Sequence, residues 1–170
     1  MSEPGSTSGV VTIVVSDEQT DVAVDADRWA DLARAVLQAE GRTGELTLTF
    51  VDRDEITALN AEHMGQHGPT DVLSFPLDSF DNAADAMPGP VLLGDVVICP
   101  AVASEAAPTH AGTLDDELAL LVVHGILHVL GHDHAQPGET RVMRERERAL
   151  LEQHHWHGPA PAAFTEEQEA

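Results

Sequence analysis

The chain has 170 residues, 42% of them hydrophobic, which suits one domain with a real core. Its net charge is -22, and all eight basic residues are arginine, so its overall field repels nucleic acid and any such contact must rest on a local patch. A single cysteine, Cys99, excludes an intramolecular disulfide. The polar start Met1–Gly9 lacks the basic region and apolar run of a secretory signal, and no stretch is long and apolar enough to span a membrane; the expectation is a soluble cytoplasmic protein.

In chain order, residues 1–9 are expected to be disordered. Val10–Val15 is β-rich and reads as a first strand. Asp25 or Asp27 can cap a helix running to about Glu40, with Trp29, Leu32, Val36 and Leu37 on its apolar face and Gly41 at its end. Glu45–Val51 alternates as a half-buried strand does, and Asp52 or Asp54 opens a short helix to about His63. Pro69 breaks that pattern before a short strand holding Val72, Leu73 and Phe75. Residues 77–90 are loop-like, and Val91–Ile98 is the next strand, where Gly94 suggests a bulge or a close backbone approach. Helices are expected at about 101–111, 114–130 and 138–154, followed from Gly158 by a disordered acidic tail. The fold class expected is α+β: one domain over residues 10–157, with a mixed sheet of about four strands packed by helices and a long connection between the first two strands that permits a parallel crossover.

The stretch Leu118–His134 carries the chemistry. His124 and His128 are four apart, so on a helix they stand one above the other, offset by roughly 40°. Gly131 tolerates a positive φ and lets the chain turn back, which allows His134 to swing over the same face. The apolar residues between Leu118 and Leu130 lie nearly all round this helix, so it is expected to be buried, and buried histidines need partners. Three imidazoles that leave a fourth position open suit a catalytic zinc. Nickel, cobalt or copper would also bind such a set. His132 is the rival third ligand; it follows Gly131 directly and should point away if the chain turns there. Asp133 is either a turn residue or a carboxylate that holds a ligand imidazole in its tautomer.

The pattern His-x-x-x-His-x-x-Gly-x-x-His resembles that of the metzincin zinc proteases, except that Gly125 stands where those have the glutamate base. The fuller run His124-Gly-Ile-Leu-His-Val-Leu-Gly-His-Asp-His134 is similar to the signature of the YbeY family, bacterial metal-dependent endoribonucleases of ribosomal RNA maturation. Pro69–Pro76 and Leu93–Ile98 resemble two further blocks of that family, in the right order, and Leu59-Asn60 falls at the end of the second helix. Together the likeness covers roughly residues 45–150. It implies zinc on His124, His128 and His134, and a groove between the metal helix and the sheet. It also implies an RNA-contacting arginine before the glycine at Gly65, where this chain has Met64.

On that resemblance the expected function is single-strand-specific, metal-dependent endoribonuclease activity in maturation of the small-subunit rRNA 3′ end and in ribosome quality control. The partners would be ribosomal RNA and the ribosome, with no DNA and no membrane. Zinc would activate water and polarise a phosphodiester oxygen; whether water or a ribose hydroxyl attacks is open, and no side chain is assigned as base. The alternatives are a zinc metallopeptidase-like hydrolase and a non-catalytic ribosome assembly factor with a structural metal. Asp71 reads as a turn residue after Pro69, and Asp95 as a residue needing a buried partner or facing the groove. Arg141, Arg144, Arg146 and Arg148 read as salt-bridging side chains rather than phosphate contacts.

Overall fold

The structure is a computed structural model that describes residues 10–77, 91–132 and 137–164. The expected disordered start at 1–9, the loop at 78–90, Asp133, His134 and the end of the tail lie outside the described residues.

Strand β1 (Val11–Asp17) leads into α1 (Ala26–Ala39), whose cap is Asp25: its carboxylate accepts a hydrogen bond from the backbone N–H of Arg28. Strand β2 (Gly44–Phe50) follows, alternating buried and half-buried residues as its sequence does. Asp52 caps α2 (Arg53–Leu59), which widens into a π-type turn over Asn60–Met64. Asn60 is buried there and donates through Nδ2 to the carbonyl of Gly68, which ties the turn to the chain entering β3 (Val72–Pro76). Next come β4 (Leu92–Ile98), α3 (Pro100–Ala106), α4 (Leu114–Val129) and α5 (Pro137–Leu151).

The four strands form one mixed sheet in the order β1-β2-β4-β3. β1 and β2 are parallel, with α1 as the crossover; β2 and β4 are parallel, and β3 runs antiparallel to β4. Gly94 meets both expectations placed on it. The register between β2 and β4 shifts so that Leu93 is the extra residue, and a Cβ on Gly94 would lie 2.6 Å from the carbonyl oxygen of Phe75.

The sheet divides two apolar clusters. On one side, α1, α4 and α5 bury Trp29, Leu37, Leu48, Val96, Ile126 and Met143. On the other, α2 and α3 cover Val51, Ile56, Leu73, Val97 and Cys99. Phe164 is also buried, with its ring edge-on to Trp156 at 4.9 Å between centroids. Packing therefore continues beyond residue 157, where the sequence suggested disorder: the Phe164 ring is buried, and the N–H of Ala160 donates to the Glu152 carboxylate.

Candidate metal centre

Helix α4 opens at Thr113, whose hydroxyl accepts from the backbone N–H of Asp116. From Glu117 to Val129 its side chains are buried except for two, His124 and His128, which keep partial exposure. Their rings lie 4.6 Å apart between centroids at an interplanar angle of 72°. The helix ends as its glycine requires. Gly131 takes φ 102°, its N–H donates to the carbonyl of His128, and the N–H of His132 donates to the carbonyl of Leu127. This is a Schellman turn, with glycine in the left-handed position.

His132 leaves that turn toward α1: its Nε2 lies 3.6 Å from a carboxylate oxygen of Glu40. Glu40 also receives Arg146 from α5, at 2.5 Å. The rival ligand is thus engaged at the end of α1. His134 lies outside the described residues, and among the described residues no three His, Cys, Asp or Glu side chains gather closely enough to hold an ion.

The histidine pair has the chemistry of a metal donor set. Glu147, on α5 and only 3% exposed, accepts from Nδ1 of His124 at 2.5 Å. That bond leaves Nε2 as the remaining donor atom of the ring. In the sequence Glu147 looks like one of several charges alternating with arginines along the last helix. The signal was present nonetheless: Met143, Leu150 and Leu151 are the buried stripe of α5, and Glu147 falls on that stripe at helical spacing. A carboxylate there has to have a partner. Glu117 was missed for a similar reason. It is fully buried one turn inside the start of α4, with its two oxygens 2.9 and 3.0 Å from Nδ1 of His110 and one accepting from the N–H of Ala111.

Gly125, between the two histidines in sequence, faces the sheet. A Cβ there would lie 2.6 Å from Cγ1 of Val96, and the hydroxyl of Ser74 donates to the carbonyl of Gly125 at 3.1 Å. The helix backbone rests on β3 and β4 at this level, so a glutamate side chain has no place to stand, and the expected groove between helix and sheet is closed there. Asp95 is half-buried and does not share this face. With Val96 turned to α4, strand alternation turns Asp95 to the opposite side of the sheet, away from the histidines. Asp71, at the mouth of β3, lies within electrostatic range of Glu117, His124 and His110. Burial, followed by the charge of Glu117, holds its carboxyl above the usual range. Its carbonyl accepts from the N–H of Cys99, which fixes this corner of β3 to the end of β4.

Four of the eight arginines pair with acids. Arg28 pairs with Asp115, Arg34 with Asp31, Arg53 with Glu105 and Arg146 with Glu40, while Arg148 sits over the ring of Phe164. A depression of about 450 Å³ beside the start of α1 is lined by Asp25, Asp27 and Asp31 together with Arg28, His154, His155 and His157.

Fold and site together describe a small α+β domain whose buried helix carries a pair of adjacent histidines, with glycine where a protease would place its base. Comparison with known proteins agrees. Residues 14–155 match the family described as Endoribonuclease YbeY. The chain is 47% identical over 140 residues to the endoribonuclease YbeY of Beutenbergia cavernae, covering 81% of this chain and 93% of that one. It is 44% identical to that of Salinispora tropica, over 75% and 87% of the two chains. The solution structure of TM1509 from Thermotoga maritima superposes with a TM-score of 0.59 at 27% identity, covering 86% of this chain and 91% of that one. The chain belongs to the YbeY endoribonuclease family. No helix among the described residues is long and apolar enough to cross a membrane.

Proposed function

We propose that this protein is a metal-dependent, single-strand-specific endoribonuclease of ribosomal RNA maturation, acting on the small-subunit rRNA 3′ end and in ribosome quality control in the cytoplasm. Its metal ligands are His124, His128 and His134, with zinc as the preferred ion. One observation carries the reading: two imidazoles side by side on a buried helix, the first with its Nδ1 held by a buried carboxylate. Structural burial alone does not call for adjacent imidazoles, whereas a borderline-soft cation does. The likeness to proteins named Endoribonuclease YbeY supports RNA as the substrate.

When bound, the ion would supply an activated water and an electrophile for the phosphodiester. The chain's own contribution is to orient His124 through Glu147 and to aim the turn at Gly131. Gly125 argues against the peptidase alternative, because the contact with Val96 leaves no room for a glutamate base. The deciding experiment is metal analysis of the native protein paired with cleavage of single-stranded rRNA substrates, comparing wild type with His124→Ala. Loss of both metal and cleavage in a folded variant is the expected result. Cleavage retained without metal would end the proposal.

A further inference from the structure

Glu147 poses an energetic question that packing does not answer. It occupies the centre of the buried stripe of α5, between Met143 and Leu150, both at most 2% exposed. A carboxylate in such a place is costly unless it is paired, and an apolar residue of similar size would often serve stability as well or better. It accepts a hydrogen bond from His124, one of the two adjacent imidazoles, 23 residues earlier and on a different helix.

The geometry points to Glu147 as a positioning residue. By accepting the Nδ1 proton of His124 it fixes that ring's tautomer and orientation, so that Nε2 is presented as a metal donor and the docking of α5 on α4 becomes a condition for metal binding. The inference rests on the reading of His124 as a ligand. Two features make it specific. The carboxylate approaches Nδ1, which directs Nε2 away from α5. It also comes from an element that contributes none of the proposed ligands, so ligand geometry depends on how two helices pack. Partners of this kind commonly change metal affinity 10- to 100-fold, on general grounds of about that size.

The test uses the full chain, stripped with chelator and reloaded. Zinc affinity is read by competition with a chromophoric chelator, and site geometry by the visible spectrum of the cobalt(II) form. Glu147→Gln keeps the shape and an acceptor oxygen but removes the charge; it should fold and bind zinc about 10-fold more weakly, with an altered cobalt spectrum. Glu147→Ala should weaken binding about 100-fold, and Glu147→Asp should recover part of the loss. Wild-type zinc affinity and spectrum in Glu147→Gln and Glu147→Ala, with affinity lost in His124→Ala, would make Glu147 a packing residue and overturn the inference alone. Unaltered zinc affinity in His124→Ala would remove the ligand reading and the inference with it. A Glu147→Gln chain that fails to fold before metal is added would also overturn it, since the residue would then serve the fold.

Discussion

Helix α4 takes part in two histidine–carboxylate pairs, built in opposite senses. At its start the helix supplies the carboxylate: Glu117 engages His110 through both oxygens and also the N–H of Ala111. Seven residues on, along nearly the same stripe, the helix supplies the imidazole, His124, and α5 supplies the carboxylate. In the first pair the buried acid also satisfies a backbone donor in the connection before the helix, so it holds the chain together where α3 gives way to α4. In the second pair a further imidazole, His128, stands one turn away. A buried carboxylate on a histidine is therefore no mark of function by itself. Under the proposed function, the neighbouring imidazole distinguishes the second pair as the metal centre and leaves the first a clamp.

The largest effect that separates the two is on cleavage. His128→Ala should lower RNA cleavage at least about 100-fold, since even residues that only support a ligand cost up to that factor. Its loss of stability should stay well below the roughly 10 kcal/mol that a structural zinc contributes to folding, because the apolar faces of α4 still pack. Thermal unfolding and cleavage measured on one preparation decide this. A chain that unfolds on losing His128 would make the metal structural and favour an assembly factor over an enzyme.

The clamp should respond in the other direction. Glu117→Ala removes the carboxylate that the half-buried His110 and the Ala111 N–H both engage, which costs about 1–3 kcal/mol in denaturant unfolding. Zinc affinity should not change. If zinc affinity falls while the chain stays folded, the two pairs are one extended site and the distinction fails.

Asp71, which lies between them, gives a pH-dependent test. Its carboxyl is held high by burial first and by Glu117 second, so between the unfolded carboxyl range near pH 3.9 and its raised value the folded chain binds more protons than the unfolded one. Wild-type stability therefore falls as pH rises through that window, and the cost remains above it. Chelator-treated Asp71→Asn should be more stable than wild type near pH 7, with the advantage gone below the unfolded value. Equal stability at both pH values would mean that a partner offsets the burial.

Much of this architecture can be read from the chain. Four strands, the parallel crossover through α1, the caps at Asp25 and Asp52 and the turn at Gly131 all follow from alternation, capping chemistry and glycine, which act over a few residues. The histidine pair is legible for the same reason. What escaped depends on distant packing. Glu147 and Glu117 look like solvated charges until another element covers them. Gly125 reads as a missing base until Val96 is placed against it, and Phe164 reads as tail until it meets Trp156. The side of the sheet that Asp95 faces depends on a bulge at Leu93, which Gly94 signals without showing how the alternation resumes.

The smallest expected effect concerns His132 and bears directly on the ligand set. Its ring, about a third exposed, lies 3.6 Å from Glu40, which keeps Arg146 as a closer partner. His132→Ala therefore removes one long, partly exposed arm of a contact whose acid keeps its closer arginine, and should cost no more than about 1 kcal/mol. The Schellman turn is made by backbone groups and should survive, since the N–H of residue 132 is retained. Zinc affinity should match wild type, while His134→Ala should lose it. The two variants are best measured side by side, because His132 and His134 flank a single residue and compete for one role. If His132→Ala loses zinc and His134→Ala keeps it, the turn delivers the nearer imidazole to the metal and its approach to Glu40 must be given up when the ion binds. If both bind normally, the histidine pair on α4 needs no third imidazole from this turn, and the contrast between metal centre and clamp would rest on His128 alone.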